Sequence, residues 1–227
     1  KIEILKKEND GVILRFLGGE SGGEIFEKIG HTPIPPYMKR EDTQDDEIRY
    51  NTVFADIDGS VAAPTASLNL TEEMLGEMKK KGVGIVKVEL KVGWGTFAPV
   101  REEDIKKHKI HEEEITLSKE SAEKINECKG NGGDIWAFGT TVARVLESCT
   151  DKDGEVKEFT GSTKLYIYPG YDWKVVGHLV TNFHMPDSSL LLLVSSFAGE
   201  ELIKKAYQRA IDEKYMFLSY GDSMVII

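Results

Sequence analysis

The sequence predicts an α/β protein, and three observations carry that reading. Val86, Val88, Leu90 and Val92 alternate with Lys87, Glu89 and Lys91, the period-two pattern of a strand with one buried face. Leu202, Ile203, Ala206, Tyr207, Ala210 and Ile211 recur at three- and four-residue spacing, as on one face of a helix. The two patterns interleave along most of the chain instead of separating into blocks.

In order, residues 1–5 and 12–17 read as strands joined by Asn9-Asp10-Gly11, whose residues tolerate the positive φ of a hairpin turn. Two strands are not stable alone, so partner strands are expected before them. Residues 22–29 suggest a short helix closed by Gly30, and Pro33-Ile34-Pro35-Pro36 a stiff, extended crossing between domains. Thr71 caps a helix with Glu72 and Glu73 in its first turn and Gly82 at its end. After the strand at 86–92, Ser118 opens a helix with Ala122, Ile125 and Cys128 on one face. Residues 135–138 form a short apolar strand, followed by Gly139-Thr140-Thr141 and a helix carrying Val142, Val145, Leu146 and Cys149. Strands are expected at 164–168, 175–180 and 223–227, and a helix buried nearly all round at 190–198.

Composition narrows the function. The 227 residues carry a net charge of −10, which argues against broad, unspecific nucleic-acid binding. The acids bunch at 41–47, 102–104, 112–114 and 151–158, read as solvated loops and faces, so a local basic surface stays compatible with an RNA substrate. The longest apolar run, residues 190–194, is far short of the ~20 residues of a membrane helix. The first residues are charged and no signal peptide is expected. Cys128 and Cys149 lack metal-ligand spacing and fall on apolar helical faces, so both read as buried free thiols of a reducing cytoplasm.

Chemistry in such folds gathers where strands end and loops begin. Five segments fit: GSVAAPT at 59–65, GWGTFAP at 93–99, GTTVAR at 139–144, TNFHMP at 181–186 and YGD at 220–222. The strand-Gly-Thr-Thr-helix unit offers free amides and two hydroxyls to an anionic or electron-rich group, with Arg144 one turn further on. The structural alternative is threonine capping with Arg144 in a surface ion pair to Glu147. His184 is a candidate general acid or base, its ordinary pKa lying near neutrality, or else a structural histidine. Tyr220-Gly221-Asp222 is either a site segment or a turn in which Asp222 bonds nearby backbone. Zinc spacing, P-loop and HExxH signatures do not occur, and residue chemistry alone names no reaction.

These segments, together and in this order, resemble the S-adenosylmethionine:tRNA ribosyltransferase-isomerases of queuosine biosynthesis. The likeness runs from about residue 12 to the end. It rests on PIPPY at 33–37, RYNTV at 49–53, GSVAAPTA at 59–66, residues 92–100, His108-Lys109-Ile110-His111 with Glu113, residues 137–148, IYPGY at 167–171, TNFHMP, residues 195–199 and a terminal SYGD at 219–222. The resemblance implies a barrel-like mixed α/β main domain, here residues 31–227, into which a small all-β barrel domain is inserted. Residues 1–30 would be the tail of that barrel, with an N-terminal portion of the family's chain absent.

It also implies the reaction. The ribosyl group of S-adenosylmethionine, a co-substrate in the place of a cofactor, moves to 7-aminomethyl-7-deazaguanine at the wobble position of tRNA. The products are epoxyqueuosine-tRNA, adenine and methionine. No metal is expected, and a cytoplasmic monomer away from membranes is. For this chemistry His184, Asp222 and Glu147 are the expected catalytic groups. Ser60, Thr65, Gly93, Gly95, Thr96, Gly139, Thr140, Thr141, Arg144, Asn182 and Tyr220 are expected to bind substrate. The chain departs from the family pattern at Asn69 and Lys91, where histidines are usual, at Trp94 and Ala98, where leucine and arginine are, and at Gly177, where aspartate is common. Asn69, Lys91 and Ala98 are expected to border one shared site. The alternatives that such departures raise are a paralogue with a changed substrate and a non-catalytic tRNA- or metabolite-binding relative.

Overall fold

A computed structural model of the chain describes residues 1–8, 11–56, 60, 62–92, 105, 110 and 112–227. It is a mixed α/β structure whose strands, among the described residues, form three small sheets. The first is an antiparallel hairpin of β1 (Ile2–Glu8) and β2 (Gly11–Phe16). Its apolar residues Ile2, Ile4, Leu5, Val12, Ile13 and Leu14 are all exposed. Helix α1 (Gly22–Ile29) follows, with a capping box in which the Ser21 side chain accepts the Glu24 N–H and the Glu24 carboxylate accepts the Ser21 N–H. Gly30 closes it in extended backbone, not the left-handed turn that a terminal glycine suggests.

Helices α2 (Gln44–Arg49) and α3 (Glu72–Lys80) come next, and Thr71 caps the second by accepting the Met74 N–H, as its sequence predicts. The second sheet is antiparallel: β3 (Glu89–Lys91), β4 (Glu113–Leu117) and β6 (Phe159–Thr163), in the order β3-β4-β6. Only three residues of the alternating run at 86–92 join the ladder, opposite residues 114–116. The apolar side of that run still packs on the core through Val86, Val88 and Leu90. The expected strand at 164–168 is not one; the ladder ends at Thr163. Strand β4 lay hidden among acids, but Glu113, Ile115 and Leu117 point inward in period two.

The third sheet holds the chemistry-bearing ends. Strand β5 (Trp136–Phe138) pairs in parallel with β7 (His178–Asn182), which pairs antiparallel with β8 (Ser223–Ile226). Helix α4 (Lys119–Gly130), capped by Ser118, leads into β5. Helix α5 (Thr140–Ser148) leaves β5 through Gly139, and its Ala143, Val145 and Leu146 join Ile115, Leu117, Ala137 and Leu179 in the core. Each such large aliphatic side chain contributes about 1.5–3 kcal/mol when removed from water. Helices α6 (Ser189–Ala198) and α7 (Glu200–Asp212) complete the core with Leu193, Val194 and Ile203. Burial of α6 is one-sided, since only Leu193 and Val194 are fully buried.

Two further expectations are corrected. Cys149 is buried, with burial pushing its thiol up to about 11, whereas Cys128 is only partly buried. The acidic clusters at 41–47 and 112–114 are not solvated throughout: Asp46 and Glu113 are buried.

Candidate active site

Ser60 and residues 62–69 form a hub that, among the described residues, touches three of the other motifs. The Ser60 hydroxyl donates to the Ala62 carbonyl at 3.0 Å and accepts the Val92 N–H at 3.2 Å, fixing the end of the strand that leads into residues 93–99. The Thr65 hydroxyl donates to Asn182 Oδ1 at 3.0 Å, joining GSVAAPT to TNFHMP. Ala66 lies against Gly139: a Cβ placed on that glycine would stand 3.7 Å from the Ala66 Cβ, and its φ of +104° is one that side chains rarely adopt. The Asn69 amide donates to the Gly221 carbonyl at 3.2 Å and to Ser223 Oγ at 2.8 Å, binding the hub to YGD.

Parallel pairing of Phe138 with Val180 sets the starts of the GTT and TNFH segments side by side, and the Gly139 N–H donates to the Val180 carbonyl at 2.8 Å. Helix α5 therefore begins next to Asn182. Thr140 is buried and Thr141 half-buried there. Asn182 is 2% exposed, and among the described residues its Nδ2 finds no hydrogen-bond partner.

His184 lies just beyond β7, also buried. Its Nε2 sits 2.9 Å from the Thr181 hydroxyl, and its backbone N–H donates to the Tyr207 hydroxyl at 2.8 Å. Burial depresses the imidazole to about 4, so it is neutral at physiological pH. Asp222 accepts the Met216 N–H at 2.7 Å while its own N–H donates to the Met216 carbonyl, which closes the 216–222 loop as a turn. Gly221 has no room for a side chain, since an added Cβ would stand 2.4 Å from the Met216 carbonyl oxygen.

The other expected groups are occupied elsewhere. Glu147 is fully buried, with Oε1 accepting the N–H groups of Val175 and Val176 and Oε2 accepting the Lys174 N–H and the Tyr171 hydroxyl, all at 3.0–3.1 Å. It stands seven residues along α5 from Thr140, roughly 10 Å at 1.5 Å per residue. Arg144 is buried and pairs with Glu113 of β4, not with Glu147, and its Nε donates to the Leu165 carbonyl at 3.2 Å. The charge needed for an incoming anion is thus already met by a carboxylate. Tyr220 donates to Asp46 at 2.8 Å; burial first, and Asp46 second, push its phenol up to about 12. Asp46 also takes both Arg40 nitrogens, at 2.6 and 2.8 Å, which holds its carboxyl far below the usual range. Arg40 and Asp46 carry no signal in the sequence, and Glu113, part of the family likeness, is given no role there although it falls in register with the inward positions of β4.

Gly93, Gly95 and Thr96 lie outside the described residues, as do Trp94 and Ala98. Of the three departures that are described, Asn69 faces Gly221 and Ser223, Lys91 pairs with exposed Glu114 at 3.2 Å, and the Gly177 N–H donates to the Ile135 carbonyl at 3.0 Å. Among the described residues no group of three or more His, Cys, Asp or Glu could hold a metal ion, and no helix is long and apolar enough to cross a membrane.

Comparison with known proteins bears on these motifs. Residues 1–226 match the model of a family described as queuosine biosynthesis protein. The chain is 48% identical over 220 residues to the S-adenosylmethionine:tRNA ribosyltransferase-isomerase of Thermoanaerobacter sp. (strain X514), covering 97% of this chain and 64% of that protein. It is 47% identical over 226 residues to the protein of the same name from Sulfurihydrogenibium sp. (strain YO3AOP1), covering 100% and 66%. A crystal structure of S-adenosylmethionine tRNA ribosyltransferase from Thermotoga maritima superposes with a TM-score of 0.60 at 39% identity, over 72% of this chain and 51% of that one. The chain spans about two thirds of the length of the curated relatives it matches.

Proposed function

The chain belongs to the queuosine biosynthesis protein family, and on that premise we propose that it transfers and isomerises the ribosyl group of S-adenosylmethionine onto 7-aminomethyl-7-deazaguanine in the wobble position of tRNA. Epoxyqueuosine-tRNA, adenine and methionine are the products. The observation that carries this is the convergence of the GTT, TNFH and YGD segments on residues 65–69. The names of relatives at 47–48% identity give the convergence its chemical reading.

The reaction makes demands that these residues can be assigned to. The sulfonium acidifies the adjacent ribose methylene, and an acceptor must take that proton. His184 is assigned this role: burial keeps its imidazole unprotonated at neutral pH, and the same burial makes it a weaker base than a free imidazole. Ser60, Thr65, Thr140, Thr141 and Asn182, with Gly139 leaving room for close approach, form the substrate-facing surface; Gly93, Gly95 and Thr96 are assigned to substrate binding by the family likeness alone. Asp222 and Tyr220 shape the loop that closes against the hub. Arg144 and Glu147 act by positioning α5.

In the same reading residues 1–30 are the tail of an inserted small β-barrel domain, and residues 31–227 the barrel-like α/β catalytic domain. The exposed apolar side chains of the hairpin support that division, because isolated strands do not keep such surface in water. The protein acts as a cytoplasmic monomer without a metal. Incubation with S-adenosylmethionine and tRNA bearing the deazaguanine precursor, followed by chromatography, tests the proposal. Adenine and methionine should appear only with that tRNA, and S-adenosylhomocysteine as product would overturn it.

A further inference from the structure

Asn182 has a buried amide with one end spoken for and the other not. Thr65 donates to its Oδ1 at 3.0 Å, which leaves Nδ2 as a buried donor without a partner among the described residues. An unsatisfied buried donor costs about 1–3 kcal/mol, so a residue that is 2% exposed and keeps one has a use for it. The surroundings say what it would take. Thr65 is followed by Ala66, which faces Gly139, so the Asn182 amide stands on the side of the sheet where α5 begins. Helix α5 has nine residues and no side-chain cap, and among the described residues the Thr140 and Thr141 N–H groups have no acceptor. The free N–H groups and the helix dipole all present positive charge to this corner.

We infer that this corner binds a carboxylate, the one at the amino-acid end of S-adenosylmethionine, with Asn182 Nδ2 and the first amides of α5 as its donors. The inference rests on the reading of S-adenosylmethionine as substrate. Neutral donors suit a single negative charge. A phosphate chain would call for a free cation, and Arg144, one turn into α5, is already matched by Glu113. The adjacent side chains are small, and Gly139 needs its positive φ for the helix to start here at all.

Asn182→Asp tests this by calorimetric titration with two probes, S-adenosylmethionine and 5′-methylthioadenosine, which keeps the nucleoside and sulfur but lacks the amino acid. The aspartate places its own carboxylate among the helix amides and repels an incoming one. Affinity for S-adenosylmethionine should fall at least tenfold, that for methylthioadenosine should change less than threefold, and the melting temperature should hold or rise. Equal losses for both probes, or an unchanged affinity for S-adenosylmethionine, would overturn the inference. Wild-type protein that bound neither probe would instead overturn the substrate reading beneath it.

Discussion

Replacing Glu147 by glutamine separates a structural carboxylate from a chemical one. Its two oxygens receive four hydrogen bonds from residues 171–176, and Lys174 Nζ also caps the end of α5 through the Glu147 and Thr150 carbonyls at 3.0 and 2.8 Å. A glutamine keeps one oxygen and offers an NH2 in place of the other. If that NH2 takes the Oε1 position, the Val175 and Val176 N–H groups both face a donor. If it takes the Oε2 position, the Tyr171 hydroxyl can turn to accept, and only the Lys174 N–H is orphaned. The second arrangement costs less: one charge-assisted bond lost and the others weakened, about 2–4 kcal/mol. For a chain of this length that is a fall in melting temperature of roughly 5–15 °C. Glu147→Ala orphans all four donors and opens a cavity, and should cost above about 4 kcal/mol. Thermal unfolding by circular dichroism reads the shift, and adenine release well below the variant's midpoint reads the chemistry. A glutamine variant with a wild-type midpoint and no turnover would refute the positioning role and make Glu147 a chemical participant.

Three other outcomes follow from the same geometry. Arg144→Met removes the cation facing buried Glu113 and should cost about 3–5 kcal/mol in urea denaturation, while Arg144→Met with Glu113→Leu should recover most of it. His184 has a folded pKa near 4 against about 6.5 unfolded, so protons bind the unfolded chain more readily between those values and stability declines as pH falls from about 6.5 towards 4. The decline approaches about 3 kcal/mol for this one group and should vanish in His184→Gln; equal pH slopes for the two proteins would contradict it. Gly139→Ala forces a side chain into a φ of +104° and should lower both stability and S-adenosylmethionine affinity, as thermal unfolding and titration would report.

The sequence shows much of this fold because local rules and tertiary packing agree in most elements. Thr71 and Ser118 begin helices by the capping chemistry that their side chains advertise, and the apolar stripe of α7 turns Ile203 and Ala210 inward. The failures occur where a charged residue is buried by a partner far along the chain. Glu113 sits 31 residues from Arg144, so no local window reveals its burial, while Asp46 pairs with Arg40 six residues before it and also bonds Tyr220, 174 residues on. The same distance effect hides the architecture of the site. Its segments stand out as Gly-rich and polar, but the Thr65–Asn182 bond, across 117 residues, is what makes them one place.

Isotope tracing follows ribosyl transfer itself. S-Adenosylmethionine carrying 13C in all five ribose carbons is incubated with the protein and tRNA bearing the deazaguanine precursor, and the tRNA is digested to nucleosides for mass spectrometry. The account predicts one modified nucleoside heavier by all five labelled carbons, with unlabelled adenine and methionine in solution. A tRNA that gained only the methyl group, or label that stayed wholly in soluble nucleosides, would contradict it.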